Sequence, residues 1–139
     1  MPAATPSVEL VAELHRRQGD MYAGGPVDPV AELLSPDIVW HVPGKSPIAG
    51  DHRGLAQVID YFERRRRLAG ATMSMRPGEV LSAGDAVVQL VEGSAVLGGE
   101  RVSWLTVGVY RVDVEHGWIR EVWLVPLDSE LFDRIWSGE

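Results

Sequence analysis

The order of segments in this chain predicts an α+β fold. Three observations carry that reading. Gly98-Gly99 sits between two long strand-like runs. Gly84-Asp85 and His116-Gly117 punctuate the same stretch, so the chain from about Thr72 to Pro126 reads as four consecutive antiparallel strands. Everything before it reads as helix, short helix, short strand, helix. Helices followed by a run of strands lay the helices on one face of a curved sheet. The natural place for chemistry in such a domain is the space between the two layers.

Each element has a local reason. Thr5-Pro6 is a helix start, with Thr5 as cap and Pro6 at the first helical position. Val8, Val11, Leu14, Gln18, Met21 and Tyr22 follow at helical spacing, and Gly24-Gly25 stops the helix. Asp28-Pro29 opens a short second helix through Leu34, which Ser35-Pro36 ends. Ile38 to Val42 reads as a short strand broken by Pro43-Gly44, and Lys45 to Gly54 as loop. A third helix is predicted from about Leu55 to Leu68, with Leu55, Val58, Ile59 and Phe62 as its buried face and Gly70 closing it. Strands follow at about Thr72–Leu81, Ala86–Leu97, Arg101–Val114 and Trp118–Val125. Such long strands must twist, and Gly93 and Gly108 are candidate bulge positions. Asp128-Ser129 caps a last turn or two of helix carrying Leu131, Phe132, Ile135 and Trp136.

Composition narrows the function classes. The 139 residues are expected to form one domain over 1–139, with residues 1–6 as a flexible lead. The net charge is −7, from thirteen basic and twenty acidic residues. That argues against nucleic acid or an anionic membrane surface as partner, because both need a basic face. The one basic run, Arg64 to Arg67, reads as a solvated helix face rather than a phosphate patch. There is no cysteine, so disulfides, thiolate catalysis and cysteine zinc sites are excluded. The histidines and acids show no metal-ligand spacing, and no phosphate-cradling glycine loop or serine elbow is present, so no cofactor is expected. The start of the chain lacks the features of a signal peptide and no apolar run reaches membrane-span length; the expected location is cytoplasmic.

Helix, short helix, short strand, loop, helix and a four-strand meander is the order of the cone-shaped nuclear-transport-factor-two-like fold. The segment Leu34-Ser35-Pro36-Asp37-Ile38-Val39-Trp40-His41-Val42-Pro43-Gly44, the following Ser46-Pro47-Ile48-Ala49-Gly50-Asp51-His52-Arg53-Gly54, and Gly117-Trp118-Ile119-Arg120-Glu121-Val122-Trp123 resemble its SnoaL-like and ketosteroid-isomerase-related branch. The resemblance runs from about Val8 to Trp136. It implies a cone-shaped curved antiparallel sheet with three N-terminal helices on its concave face. It also implies relatives that are isomerases, polyketide cyclases, epoxide hydrolases, dehydratases or non-enzymatic binding modules, so fold does not settle activity. Ketosteroid isomerases would place a general-base Asp where this chain has Val42, a protonated Asp near Gly108 and an oxyanion Tyr near Arg17. Cyclases and epoxide hydrolases would place an Asp near Leu124, with Glu121 close by on what reads as the other face. Steroid-type isomerisation by those residues is not expected.

Strand alternation then proposes a pocket. If Val42 points inward, so do Trp40 and Ile38; if Gly108 does, so do Trp104, Thr106 and Tyr110, with Val122 and Leu124 from the last strand. The substrate-wall candidates are Trp40, Val42, Phe62, Trp104, Thr106, Tyr110, Val122 and Leu124, residues that either line a cavity or fill a core. The catalytic candidates are Tyr22, Gln18, His41 and Glu121. Gln18 and Tyr22 lie one turn apart on the first helix and are able to donate to a substrate carbonyl. His41 serves as a base only if the register shifts by one, and is otherwise a hydrogen-bonded structural residue. Glu92 and Glu121 are carboxylates within apolar strands; each is a tuned acid, an outer-face residue, or a partner of Arg120 or Arg111 at a dimer contact. Asp51-His52 is an acid–base pair at the cone mouth or a merely solvated loop. His15 is expected at the surface and His116 in an exposed turn.

The resulting expectation is a cofactor-free SnoaL-like enzyme acting on a hydrophobic metabolite, polyketide- or terpenoid-like, by isomerisation, cyclisation, dehydration or epoxide opening, in secondary metabolism. The rival is a non-catalytic ligand-binding or dimeric interaction module. A homodimer through the outer sheet face, rich in Leu105, Val107 and Val109, is expected in either case. A cavity of roughly hundreds of Å³ holding a partnerless acid or histidine would favour the enzyme. A cone plugged by Trp40, Trp104 and Trp123 would favour the module.

Overall fold

Ten elements follow one another in the structure, a computed structural model that describes residues 5–137. They are α1 (Pro6–Tyr22), α2 (Asp28–Ala31), β1 (Leu34–Val42), β2 (Gly50–Arg53), α3 (Leu55–Ala69), β3 (Ser74–Ala83), β4 (Ala86–Leu97), β5 (Glu100–Asp113), β6 (Trp118–Pro126) and α4 (Ser129–Ile135). The strands form one unclosed six-stranded sheet in the order β2-β1-β6-β5-β4-β3. All neighbours are antiparallel except β1 and β6, which run parallel. This is the α+β fold expected, with four helices among the described residues. Three precede the meander, and the fourth is the predicted C-terminal helix after Asp128.

The helices begin and end where side chains can satisfy their free backbone groups. The Thr5 hydroxyl accepts from the Val8 N–H at 3.3 Å, and Pro6 opens α1. Thr5 and Pro6 therefore belong to the helix start; residues 1–4, the rest of the expected flexible lead, lie outside the described residues. The Asp128 carboxylate accepts from the Leu131 N–H at 3.0 Å to start α4. Buried side chains from α1, α3 and α4 pack with those of the sheet in one core that includes Leu14, Met21, Ile38, Val58, Phe62 and Trp136. Among the described residues no helix is long and apolar enough to cross a membrane.

Three local expectations are corrected. First, α2 ends at Ala31 and β1 starts at Leu34, because the Leu33 carbonyl accepts from the Ile119 N–H at 2.7 Å and draws the chain onto β6 before Pro36. Second, the expected loop contains β2, which pairs Gly50 with Val42 and Arg53 with Val39. It consists of a glycine and three polar residues on a sheet edge, so it carries no alternating apolar signal. Third, Gly93 and Gly108 are not bulges: β4 and β5 pair without a shift, and the irregularities fall between Pro77 and Val80, Leu34 and Val39, and Arg111 and Val112. The two glycines serve the packing of aromatic rings instead, as the site shows.

Candidate functional site

Inward-facing residues of β4, β5 and β6 meet α1, α3 and α4 around a cavity of about 40 Å³. Its wall contains His15 and Gln18 from α1, Trp40 from β1, Arg65 from α3, Met73, Met75 and Val91, and Trp104, Thr106, Tyr110, Leu124 and Phe132. Of the sequence candidates, Gln18, Trp40, Trp104, Thr106, Tyr110 and Leu124 line this space. Val42, Phe62 and Val122 are buried in the core beside it and are not part of its wall. Tyr22 is buried behind the wall, edge-on to Phe62 at 6.4 Å.

The polar centre of the cavity is a pair the sequence reading placed apart. His15, expected at the surface, is only 7% exposed. Its Nε2 lies 2.9 Å from the Tyr110 hydroxyl, and its Nδ1 is buried with no hydrogen-bond partner. Burial pushes the imidazole down to about 4, and pushes the Tyr110 hydroxyl up. At neutral pH both groups are therefore uncharged. The hydrogen bond ties Tyr110 to Nε2 and leaves Nδ1 as a ring nitrogen open to a ligand's hydrogen bond. The signal for His15 was in the sequence: Val11, His15, Gln18 and Tyr22 follow one another by four, three and four, which is a helical stripe.

Glycines make room for the aromatic wall. A Cβ on Gly108 would lie 2.6 Å from Cζ of Tyr110, whose ring folds back along its own strand. A Cβ on Gly93, which pairs with Trp104 across the strands, would lie 2.7 Å from the indole Nε1. Trp104 in turn meets Trp136 edge-on at 5.4 Å.

Arg65 is the second correction. The expected solvated basic face holds for its neighbours: Arg66 bonds Glu63 and the Gly25 carbonyl, and Arg64 bonds the Pro47 carbonyl. Arg65 instead turns inward and is 4% exposed, with its guanidinium carbon 4.6 Å from the Trp136 ring centre, 5.3 Å from Tyr61 and 5.6 Å from Tyr22. Cation–π contacts of this kind contribute about 0.5–2 kcal/mol each. They offset part of the several kcal/mol that burying a charge costs.

The remaining catalytic candidates occupy the opposite face of the sheet. His41 alternates outward, with Nδ1 2.7 Å from Asp51 and Nε2 2.6 Å from Glu121, and its ring stacks on Trp123 at 5.2 Å. His41 and Glu121 are thus placed together but away from the cavity. Glu92 also faces outward, 3.5 Å from Arg76. The Asp51-His52 pair is split by strand alternation: Asp51 joins His41, while His52 donates to the Ile48 carbonyl at 2.9 Å and stacks on Tyr61 at 4.8 Å. His116 is exposed in its turn, bonded to Asp113 at 2.7 Å. Among the described residues no group of three or more His, Asp or Glu is arranged to hold a metal ion.

The buried His15 and the outward His41 predict opposite pH behaviour. For His15 the folded value lies below the unfolded one, so the unfolded chain binds the proton more readily. Its contribution is intact above about 6.5 and is lost as pH falls toward 4, on the order of 3 kcal/mol in all. For His41 burial pulls down, but the hydrogen bonds to Glu121 and Asp51 outweigh it and the net shift is upward. Its contribution is therefore present below the unfolded value and is lost as pH rises through the folded one. Urea unfolding across pH 4–8 should show a shallower acid-side loss in His15→Phe and a smaller alkaline-side loss in His41→Gln. Parallel curves for either variant and the parent would contradict the assignment.

With this geometry in place, a profile of the SnoaL-like domain matches residues 15–122. The chain belongs to the SnoaL-like domain family. No curated protein matches it. Among solved structures it is similar to Bal32a from a soil-derived mobile gene cassette, with 27% identity, 94% of this chain and 98% of that chain covered, and a TM-score of 0.80. It is also similar to TerC co-crystallised with polyporic acid, with 18% identity, 94% and 98% coverage and a TM-score of 0.80. A third is a putative SnoaL-like polyketide cyclase from Jannaschia sp. CCS1, with 17% identity, 100% and 96% coverage and a TM-score of 0.78. In this SnoaL-like chain, Arg17 does not face the cavity: it bonds Glu13 and the Pro29 carbonyl, both at 2.7 Å, and ties α1 to the start of α2.

Proposed function

We propose that this SnoaL-like protein is a cofactor-free enzyme that performs acid–base chemistry on a small, largely apolar metabolite in the cavity between helices and sheet. The observation that carries the reading is the buried His15–Tyr110 pair with an unpartnered ring nitrogen. A partnerless buried polar atom is costly in a purely structural core. The reactions it suits are proton transfers: isomerisation, dehydration, or the enolisation that precedes cyclisation. Gln18 stands in the same wall as a hydrogen-bond donor to a developing oxyanion. Tyr22, His41 and Glu121 are left without a cavity-facing role in this reading.

One observation favours the binding-module alternative. The cavity, at about 40 Å³, is far below the several hundred Å³ of an ordinary ligand pocket. Entry of a metabolite requires side chains to move, and the flexible Met73 and Met75 in its wall are the ones able to. The deciding experiment follows solvent deuterium exchange into an enolisable bicyclic ketone such as 2-tetralone by NMR. Turnover is expected in the parent, falling about 10²–10⁴-fold in Tyr110→Phe and His15→Phe. Binding without exchange would hand the site to the binding module.

We also propose a homodimer through the outer sheet face. Val88, Leu90, Leu105, Val107, Val109, Trp123 and Val125 share that face by register, and Leu105 and Val125 are 42% and 49% exposed. Sedimentation at micromolar concentration should give twice the 15.2 kDa chain mass, and Leu105→Arg should halve it. A parent mass of one chain overturns the dimer.

A further inference from the structure

The acid–base reading leaves Arg65 unused. Its side chain forms part of the cavity wall and is almost wholly buried. Among the described residues no carboxylate pairs with it; the neutral rings of Tyr61, Tyr22 and Trp136 surround its charge. Three aromatic faces hold the guanidinium, but ring faces do not satisfy every N–H, and Nε has no hydrogen-bond partner. Among the described residues not one Asp or Glu lines the cavity. His15 is uncharged there at neutral pH, so among those residues Arg65 is the sole charge in the wall. The Thr106 hydroxyl, in the same wall, is likewise buried without a partner.

We infer that the cavity recognises an oxygen anion: its ligand is a small planar apolar body bearing one carboxylate, with the carboxylate oxygens accepting from the Arg65 guanidinium. The flat rings of Trp40, Trp104, Tyr110 and Phe132 supply the wall for the planar body. A guanidinium is the side chain best suited to the head group, because its donors match two carboxylate oxygens at once. Carboxylate pairing would also supply the counter-charge that the fold withholds. The inference rests on the small-molecule reading of this cavity and names the class of molecule.

The test uses benzoate and its uncharged isostere benzamide as probes, titrated into the full chain while the indole N–H signals are followed by NMR. Benzoate should bind at least about ten-fold more tightly than benzamide, the discrimination expected of one charge-assisted pair. In Arg65→Met, which keeps an unbranched side chain without the charge, the ratio should fall to about one. Should Arg65→Met fail to fold, the parent still decides: bound benzoate must show contacts from its ring protons to the methyls of Met73 and Met75, and contacts elsewhere overturn the site. Equal affinity for the two probes in the parent overturns the anion but leaves the small-molecule reading standing. Binding of neither probe overturns both. A benzoate preference that survives in folded Arg65→Met overturns the role of Arg65.

Discussion

Replacing Trp136 by alanine should cost about 3–5 kcal/mol of stability, the range for deleting a fully buried large aromatic. Trp136 is 0% exposed at the C-cap of α4, the last of the described elements. Its ring packs edge-on against Trp104 and lies under the Arg65 guanidinium at 4.6 Å. The substitution therefore removes apolar burial, leaves a cavity, and takes away the nearest of three aromatic faces from a buried cation. The last loss adds to the first two, because among the described residues Arg65 has no carboxylate partner. For a chain of this length the expected fall in Tm is more than about 10 °C. Trp136→Phe keeps an aromatic face and should cost less than half as much. Calorimetry of the two variants separates the effects. A Trp136→Ala loss below about 1 kcal/mol would mean that α4 does not close the core as described.

The fold was legible because its signals are local and mutually consistent. The Gly-marked turns at Gly84, Gly98-Gly99 and Gly117 adopt positive φ, which glycine tolerates and side-chain-bearing residues rarely do. They delimit strands whose observed bounds differ from the predicted ones by two residues at most. What escaped was the edge strand β2, whose ladder with β1 is made of backbone bonds and whose polar side chains carry no alternating apolar signal. Backbone pairing leaves no imprint on side-chain pattern.

The site was legible in part. Alternation put Trp40, Trp104, Thr106, Tyr110 and Leu124 on one face, and they do share a cavity wall. Chemistry was harder to place because apolar periodicity finds apolar residues. His15 and Arg65 are polar members of buried stripes, at positions 11, 15, 18, 22 and 58, 62, 65, 69. A scale that counts them as polar assigns them to solvent, although hydrogen bonding and cation–π contact keep them inside. His41 and Glu121 show the converse. They stand in apolar strands, yet alternation turns them outward, where they find each other.

Gly108→Ala should lower the proposed exchange activity about as much as Tyr110→Phe does, although it removes no ionisable group. The added methyl would fall within van der Waals overlap of the Tyr110 ring, at 2.6 Å from Cζ and 2.8 Å from Cε1. Tyr110 is buried, so the ring has little room to yield, and overpacking of this kind costs about 1–3 kcal/mol. The movement that relieves the overlap displaces the hydroxyl from His15, and a hydrogen bond of 2.9 Å does not survive a shift of an ångström. The sequence resemblance would place the protonated acid of ketosteroid isomerases near position 108; this chain folds Tyr110 over a glycine there, so position 108 cannot hold a carboxyl group while Tyr110 stays in place. Gly108→Asp in the parent should therefore impair the protein further, and Gly108→Asp combined with Tyr110→Ala should recover stability relative to Gly108→Asp alone. Urea melts of Gly108→Asp, Tyr110→Ala and the double variant measure that coupling. Strictly additive losses would show that the tyrosine does not occupy the space the acid needs.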